Sequence, residues 1–289
     1  MPGNKERQRK RARERWERQQ DKRRQRQHKI RQWTGISVAV IAAAGLAGGL
    51  LAAFAGGSPA KTDAAAKAKA TASPSASATS STAAVTEPAT HCTYTKSSGG
   101  AVKSVSLPPA TPDYKAAYTA TINTNLGPIS INLLNSKATC SVNSFVHLAD
   151  AGFWNNSQCH RVSDSGGLYM LQCGDPTAKA TENLSCSSTT VGTGGPGYEF
   201  ANENLTGAKY DAGTVAMANS GGSDTNGSQF FLVFKNTSLP ADYTPFGTIT
   251  SGLDILQNVG KAGTSCTYSA GGGVPKEKVI IKSVTIKQV

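Results

Sequence analysis

The chain has 289 residues, a net charge of +12 and 38% hydrophobic residues, a length that allows one or two domains. The charge is concentrated at one end, because residues 1–33 hold 14 Lys or Arg and 4 Asp or Glu and so carry +10 of the total. The remaining residues, 34–289, are nearly neutral. The high net charge therefore belongs to the N-terminal arm and not to the globular part. Such an arm could bind nucleic acid, but we expect an orientation signal that also contacts anionic lipid headgroups.

Residues 34–55 form an apolar segment, and its first 21 residues contain no charge. At about 1.5 Å per residue a helix of this length spans the ~30 Å hydrocarbon core of a bilayer. The basic arm of residues 1–33 in front of it predicts a cytoplasmic N-terminus and an extracytoplasmic remainder. We expect a retained membrane anchor. A secretory signal peptide is the alternative, because Ala53-Phe54-Ala55 has the form of a cleavage site.

Residues 56–90 are predicted to form a disordered linker. From Gly57 to Thr90, 28 of 34 residues are Ala, Ser, Thr, Pro or Gly and none is aromatic. Such a segment buries too little apolar surface to offset its ordering entropy. The folded domain then covers residues 91–289, in which 91–117 form an N-terminal extension.

All six cysteines lie in this domain, at Cys92, Cys140, Cys159, Cys173, Cys186 and Cys266. An even number of cysteines outside a membrane favours disulfides, and free buried thiols are the alternative. We expect no metal site, because the chain has no Cys-x-x-Cys and no clustered histidines. We expect no cofactor either.

The apolar pattern predicts a mostly β domain. Residues 118–123 and 129–134 alternate around a turn and predict a hairpin. Residues 141–151 and 252–260 have helical periodicity, and 279–286 predict a final strand. Many short strands with only two helices favour a closed antiparallel barrel.

Five separated blocks carry a family resemblance. They are HRV at 160–162, YMLQCGD at 169–175, PGYEFANE at 196–203, MANSGGSDTNGSQFF at 217–231 and FG at 246–247. In this order they resemble cyclophilins, the peptidyl-prolyl cis/trans isomerases, over roughly residues 118–289. The resemblance implies a closed eight-stranded antiparallel β-barrel capped by two helices, and proline-containing polypeptides as substrates.

The chemistry implied by the resemblance is rotation about an X-Pro bond, whose barrier of about 18–20 kcal/mol comes from amide resonance. A catalyst must bind the twisted amide better than the planar forms. An arginine suits this task, because it holds its charge and carries five donors in a rigid fork. By resemblance Arg161 is the catalytic arginine, and Gln172 holds the arginine and the substrate.

Further positions match the family's substrate groove. Those that match the proline pocket are Tyr169, Met170, Phe231 and Leu239, although each could be ordinary core, as we expect for Phe230. Ala218 and Asn219 match the segment whose backbone pairs with the peptide, and Gln229 matches a polar residue of the groove. Two positions depart from the family pattern: Ser238 stands where many members have a tryptophan that contacts cyclosporin, and Tyr243 where they have a histidine. Tyr243 keeps an aromatic ring at its position, so we count it among the substrate-binding residues. Because the indole is missing, we expect weak cyclosporin binding.

The resemblance also narrows the 15 possible cysteine pairings. Cys159 and Cys173 would lie on consecutive antiparallel strands, the first ending near Val162. Cys92–Cys140 would then tie the N-terminal extension to the first helix, and Cys186–Cys266 would join two loops.

The sequence thus predicts a monomeric isomerase for exported proteins, anchored in the cell membrane with its domain outside, without nucleic-acid partners. One alternative is a cyclophilin-like module or tethered chaperone that binds proline segments with little turnover. Residues 89–92 and 164–167 also resemble fragments of chymotrypsin-like serine proteases. However, His91 directly follows the linker, and the 74 positions between it and Ser165 are too few for the first barrel of such an enzyme.

Overall fold

The computed structural model describes residues 88–97, 103, 105–269 and 271–289. The basic arm, the predicted membrane segment at 34–55 and the linker up to residue 87 lie outside this part. Within it, no helix combines the length and the apolar character needed to cross a bilayer.

The described residues form eleven strands and two helices. The strands are β1 (Thr95–Lys96), β2 (Tyr118–Thr124), β3 (Gly127–Leu133), β4 (Ser157–Gln158), β5 (Arg161–Ser165), β6 (Leu168–Cys173), β7 (Tyr198–Glu199), β8 (Thr214–Met217), β9 (Phe230–Val233), β10 (Pro245–Ser251) and β11 (Ile280–Gln288). The helices are α1 (Thr139–Asp150) and α2 (Leu253–Ala262). The predicted hairpin is β2 and β3, and both predicted helices are present within two residues of their expected starts.

Nine strands form one antiparallel sheet in the order β4-β11-β2-β3-β10-β8-β9-β6-β5, and β1 pairs with β7. Only Cys159 and His160 separate β4 from β5. The Cys159 amide donates to the Val279 carbonyl (2.9 Å) beside β11, and the His160 amide donates to Gln172 (3.1 Å) in β6. The continuous stretch of residues 157–165 therefore supplies both end strands of the sheet order, β4 at one end and β5 at the other. The sheet is strongly curled as a result. The mostly β architecture with two helices is confirmed.

The main core fills the inside of the curled sheet. Phe145 of α1 packs against Trp154, Phe230 and Phe246, with ring centroids 4.7, 5.6 and 5.1 Å away. Strand alternation sends Phe230 into this core, as expected from the sequence. Burial of such aromatic groups is the main favourable contribution to folding.

The six cysteines form three disulfides: Cys92–Cys140, Cys159–Cys173 and Cys186–Cys266, with Cα atoms 5.4, 4.0 and 5.9 Å apart. These are the three pairs that the resemblance suggested. The first fastens the N-terminal extension to α1.

Strand β5 continues to Ser165, three residues beyond its expected end, because Ser163, Asp164 and Ser165 also pair with β6.

A remote carboxylate satisfies the N-terminus of α1. Its N-cap residue, Ala138, has no side-chain oxygen to offer. Instead, Glu203 accepts hydrogen bonds from the backbone amides of Cys140 (3.0 Å) and Ser141 (2.7 Å) and from the Ser141 hydroxyl (2.8 Å). Burial raises the pKa of the Glu203 carboxyl, and the three hydrogen bonds oppose that rise. The carboxylate thus replaces the missing cap and also complements the positive end of the helix dipole.

Replacing Glu203 with alanine is expected to lower the free energy of unfolding by about 1–3 kcal/mol, because buried helix amides lose their acceptor. Chemical denaturation of the full chain measures the change. Glu182→Ala is the control, because the Glu182 side chain is 50% exposed and lies 4.0 Å from Lys179. Equal effects of the two substitutions would contradict the capping role.

Candidate active site

Strand pairing places the predicted catalytic and pocket residues in one row. Arg161 of β5 lies opposite Gln172 of β6, and Gln172 lies opposite Phe231 of β9. Phe231 in turn lies opposite Ala216 of β8. Directly opposed residues present their side chains on the same face, and neighbouring strands are about 4.8 Å apart. The arginine and the phenylalanine therefore share one face, with backbones separated by on the order of 10 Å.

A chain of hydrogen bonds runs along this face. Arg161 Nη1 donates to Gln172 Oε1 (3.2 Å), and Gln172 Nε2 donates to Gln229 Oε1 (3.0 Å). Gln229 Nε2 donates to the carbonyls of Gly192 (3.1 Å) and Gly194 (2.9 Å). At the other end, Arg161 Nε donates to the Gly271 carbonyl (2.8 Å). We call this series the polar chain; it holds the guanidinium from two sides.

The Arg161 side chain is partly buried and so partly shielded from solvent. Burial lowers the pKa of its guanidinium, while the hydroxyls of Tyr243 and Tyr268 oppose that change. A cationic donor in such surroundings interacts more strongly with a nearby acceptor than it would in water. This is the property required of a group that stabilises a developing lone pair.

A second apolar cluster, which we call the slot, adjoins the polar chain through Phe231, which lies opposite Gln172. Its buried members are Met170, Tyr210, Ala216, Phe231 and Val233, and partly buried neighbours are Leu168, Ala208, Ala218, Leu239 and Tyr243. The Phe231 ring lies 5.7 Å from the ring of Tyr243 and 6.2 Å from that of Tyr210. The structure thus brings together five of the predicted substrate residues: Met170, Ala218, Phe231, Leu239 and Tyr243. Tyr210 was not anticipated, because no local pattern distinguishes it from any other core tyrosine.

Tyr169 does not belong to the slot. Its ring packs against Phe234 at 6.4 Å and lies 4.5 Å below Lys235 Nζ. Successive side chains of a strand point to opposite faces, so Tyr169 and Met170 diverge. The structure therefore does not bring Tyr169 into the slot, and its role at the proline pocket stays a prediction.

The segment after β8 offers backbone groups to a ligand. The Ala218 amide donates to the Gln229 carbonyl (2.9 Å), whereas within the described residues the backbone N–H and C=O of Asn219 have no hydrogen-bond partner. The Asn219 side chain is already engaged, donating to Asp242 (2.8 Å) and accepting from the Gly221 amide (3.0 Å). Asn219 is thus held with its main chain available to an extended peptide.

A cavity of about 300 Å³ lies beside the polar chain. It is lined by Gln172 and Gln229, by residues 192–199 and by residues 218–220. The loop at 192–195 was not anticipated as part of the site. Nor was Gly271, although the run of three glycines at 271–273 was visible in the sequence. A Cβ on Gly272 would lie 2.5 Å from the Val162 carbonyl and 3.3 Å from Arg161 Nε, so only glycine lets this loop approach.

Comparison with known proteins gives this geometry a family. A model described as cyclophilin type peptidyl-prolyl cis-trans isomerase/CLD matches residues 119–286. The chain belongs to the cyclophilin-type peptidyl-prolyl cis-trans isomerase family. All ten predicted site residues fall inside the matched range, and so do the slot residues that the sequence did not reveal.

Curated relatives of this cyclophilin include the probable peptidyl-prolyl cis-trans isomerases B of Mycobacterium leprae and Mycobacterium tuberculosis. Each is 41% identical, over 218 and 214 residues respectively. The alignments cover 70% and 68% of this chain but 68% and 64% of those relatives, so the chain matches about two thirds of their length. A crystal structure of a Cryptosporidium parvum cyclophilin is 28% identical, with a TM-score of 0.47, and is matched over 59% of this chain and 98% of its own.

His160 precedes the catalytic candidate and is 2% exposed, and its Nδ1 atom has no hydrogen-bond partner in the part of the chain that the structure describes. Burial lowers the pKa of its imidazole to about 4; Arg161 adds to this lowering and Asp175 opposes it. The folded protein therefore keeps His160 neutral at pH values at which the unfolded chain has already protonated it.

This difference predicts a pH-dependent stability. Between about pH 6.5 and 4 the unfolded state binds the extra proton, so the free energy of unfolding falls as the pH is lowered through this window. The loss is expected to reach up to about 3 kcal/mol, at roughly 1.4 kcal/mol per pKa unit. Denaturant titrations at several pH values measure it. The neutral variant His160→Gln should show a shallower slope over the same window; an unchanged slope would assign the effect to other groups.

Proposed function

We propose that this chain catalyses cis/trans isomerisation of X-Pro bonds in exported polypeptides and so assists their folding outside the membrane. The observation that carries the proposal is the row Arg161–Gln172–Phe231, which sets a fixed cation beside an apolar slot on one face of the sheet. We take the curled sheet to be a closed eight-stranded barrel in which β4 and β5 count as one strand.

Binding begins with the proline ring in the slot. Met170, Phe231 and Leu239 supply apolar contacts, and Tyr243 closes one side. The unpaired backbone groups of Asn219 hold the chain next to the proline as an added strand. With both parts held, rotation is confined to the bond between them.

Catalysis follows from unequal binding of the planar and twisted amides. As the bond twists, resonance is lost and the imide nitrogen regains a lone pair. The Arg161 guanidinium donates to this nitrogen, an interaction that the planar amide, with its delocalised lone pair, cannot accept equally well. Gln172 holds the fork in place and leaves no need for reorganisation during the step. No covalent bond to the protein forms.

The proposed location rests on the disulfides and on residues 34–55. Three disulfides are typical of an oxidising compartment. An apolar segment behind a basic arm is typical of an anchor with its N-terminus inside. We therefore propose that the membrane holds the enzyme through residues 34–55 and that newly exported chains are its clients.

Arg161→Ala is expected to lower kcat/KM for a short X-Pro peptide by about 100-fold or more, and Arg161→Lys by about 10-fold, because lysine keeps the charge but loses the fork. Exchange NMR on the purified full-length chain measures both rates. Lys235→Ala is the control, since Lys235 lies over Tyr169 and outside the slot; it should change the rate less than twofold.

A wild-type rate at the uncatalysed background would instead favour the module that binds proline segments without turnover. An unchanged rate for Arg161→Ala would show that this arginine is not the catalytic group.

Ser238 predicts weak inhibition by cyclosporin. Its side chain is exposed, and its amide donates to the Gly167 carbonyl (2.9 Å) at the turn after β5. An indole at this position would add a large apolar surface and a donor, so Ser238→Trp should lower the inhibition constant at least about 10-fold. Ser187→Trp, at an exposed site in a loop, is the control. Nanomolar inhibition of the unmodified chain would contradict the prediction.

A further inference from the structure

The polar chain ends on two loops. Its Gln229 end binds the carbonyls of Gly192 and Gly194, which belong to the insert loop, defined as residues 177–195. Its Arg161 end binds the carbonyl of Gly271 in the glycine loop, defined as residues 263–269 and 271–275. These two loops are joined to each other by the disulfide Cys186–Cys266.

The middle of the insert loop depends on this disulfide. Hydrogen bonds made by residues 183–189 stay within residues 183–191, apart from the bond that the Cys186 amide donates to Cys266 Sγ (3.2 Å). The ends of the loop are held differently. Asp175 accepts from the Thr177 amide and hydroxyl (2.7 and 2.8 Å) and from the Gly192 amide. Thr190, two residues before Gly192, accepts from the Thr177 hydroxyl (3.2 Å). The disulfide is therefore the fastening of the middle of the loop, residues 183–189.

One side of the glycine loop is held close to Arg161 by main-chain hydrogen bonds and by one tyrosine hydroxyl. Gly273 and Val162 exchange hydrogen bonds of 2.9 and 2.8 Å. The Tyr268 hydroxyl donates to the His160 carbonyl (3.1 Å). Cys266 anchors the opposite side of the same loop to the insert.

We propose that Cys186–Cys266 is a positioning link for Arg161. It closes a ring that runs from Cys186 through the insert loop to Gln229, Gln172 and Arg161, and back through the glycine loop to Cys266. In the closed ring the guanidinium keeps the orientation needed at the twisted amide; in the open ring both end carbonyls move and the orientation is lost part of the time. This inference rests on the proposed isomerase activity. The ring includes Gly192 and Gly194, which line the cavity, but not the slot residues or Asn219. Its opening therefore lowers turnover more than it weakens binding.

The first test compares two disulfide deletions in the full chain. Cys186→Ser/Cys266→Ser is expected to lower kcat about 5–10-fold and to change KM less than about twofold. The reason is that the substitution changes the orientation of Arg161 at the reacting bond and leaves the slot residues in place. Cys92→Ser/Cys140→Ser removes a disulfide that is not part of the ring and should lower the melting temperature but change kcat less than about twofold. Equal losses of kcat in both variants would overturn the proposal.

A double-mutant cycle separates positioning from general stability. Gln229→Ala opens the same ring at another point, so adding Cys186→Ser/Cys266→Ser to it should cost less than about a further twofold in kcat. Losses that multiply independently would show that the disulfide acts only through the stability of the domain.

A third measurement opens Cys186–Cys266 only after the protein has folded with this disulfide intact. In the folded Cys92→Ser/Cys140→Ser variant, the remaining disulfides are the buried Cys159–Cys173 and the partly exposed Cys186–Cys266. A water-soluble phosphine opens the exposed one: the phosphine gives two electrons and becomes the phosphine oxide with oxygen from water, and the two protons of that water end on the thiols. Mass spectrometry identifies the reduced pair. Kcat should fall as in the serine variant; unchanged kcat would overturn the proposal.

Amide hydrogen exchange separates the proposed positioning link from the proposed isomerase activity, because exchange can be measured on an inactive protein. Exchange at residues 190–195 and 268–273 should accelerate on reduction. If it does so in a chain that is inactive before reduction, the proposed isomerase function fails but the positioning link stands. Unchanged exchange at both loops, with an active unreduced chain, would be a failure of the ring alone.

Discussion

The register of β5, β6 and β9 is the constraint on which the site depends. It sets Arg161, Gln172 and Phe231 side by side on one face, while the alternate residues Val162, Leu171 and Phe230 enter the core. A shift of one residue between any two of these strands would turn the arginine or the phenylalanine to the other face. The buried core residues therefore enforce the register, and the register in turn brings the cation to the slot.

The polar side of the site is built differently from the apolar side. Met170 and Phe231 are placed by strands, whose positions are secured by the ladder and by packing. The guanidinium depends in addition on carbonyls from two loops that lie outside the nine-stranded sheet. Asp175, the glycines that permit close approach and the Cys186–Cys266 disulfide compensate for this. The domain thus combines a rigid pocket with an orienting network that relies on a covalent fastening.

Much of the fold was accessible from local pattern. Alternation in 118–134 predicted β2 and β3, and helical periodicity predicted α1 and α2, because these elements each bury one face. The family resemblance supplied Arg161, Gln172 and most of the slot. Tyr169 matches the same pocket in the family, but its ring packs against Phe234 outside the slot, because successive side chains of a strand point to opposite faces. Glu203 as the cap of α1 was not anticipated, since 62 or more residues separate it from the amides it binds.

The sequence by itself determined the class of protein and the residue types that the family uses for amide rotation. It did so because charge, periodicity and the family blocks are local properties of the chain. Only the tertiary structure decided which carbonyls hold Arg161, that Tyr210 joins the slot and that one disulfide connects both ends of the polar chain. These contacts join residues far apart in sequence, and they arise from the curl of the sheet and the paths of its loops.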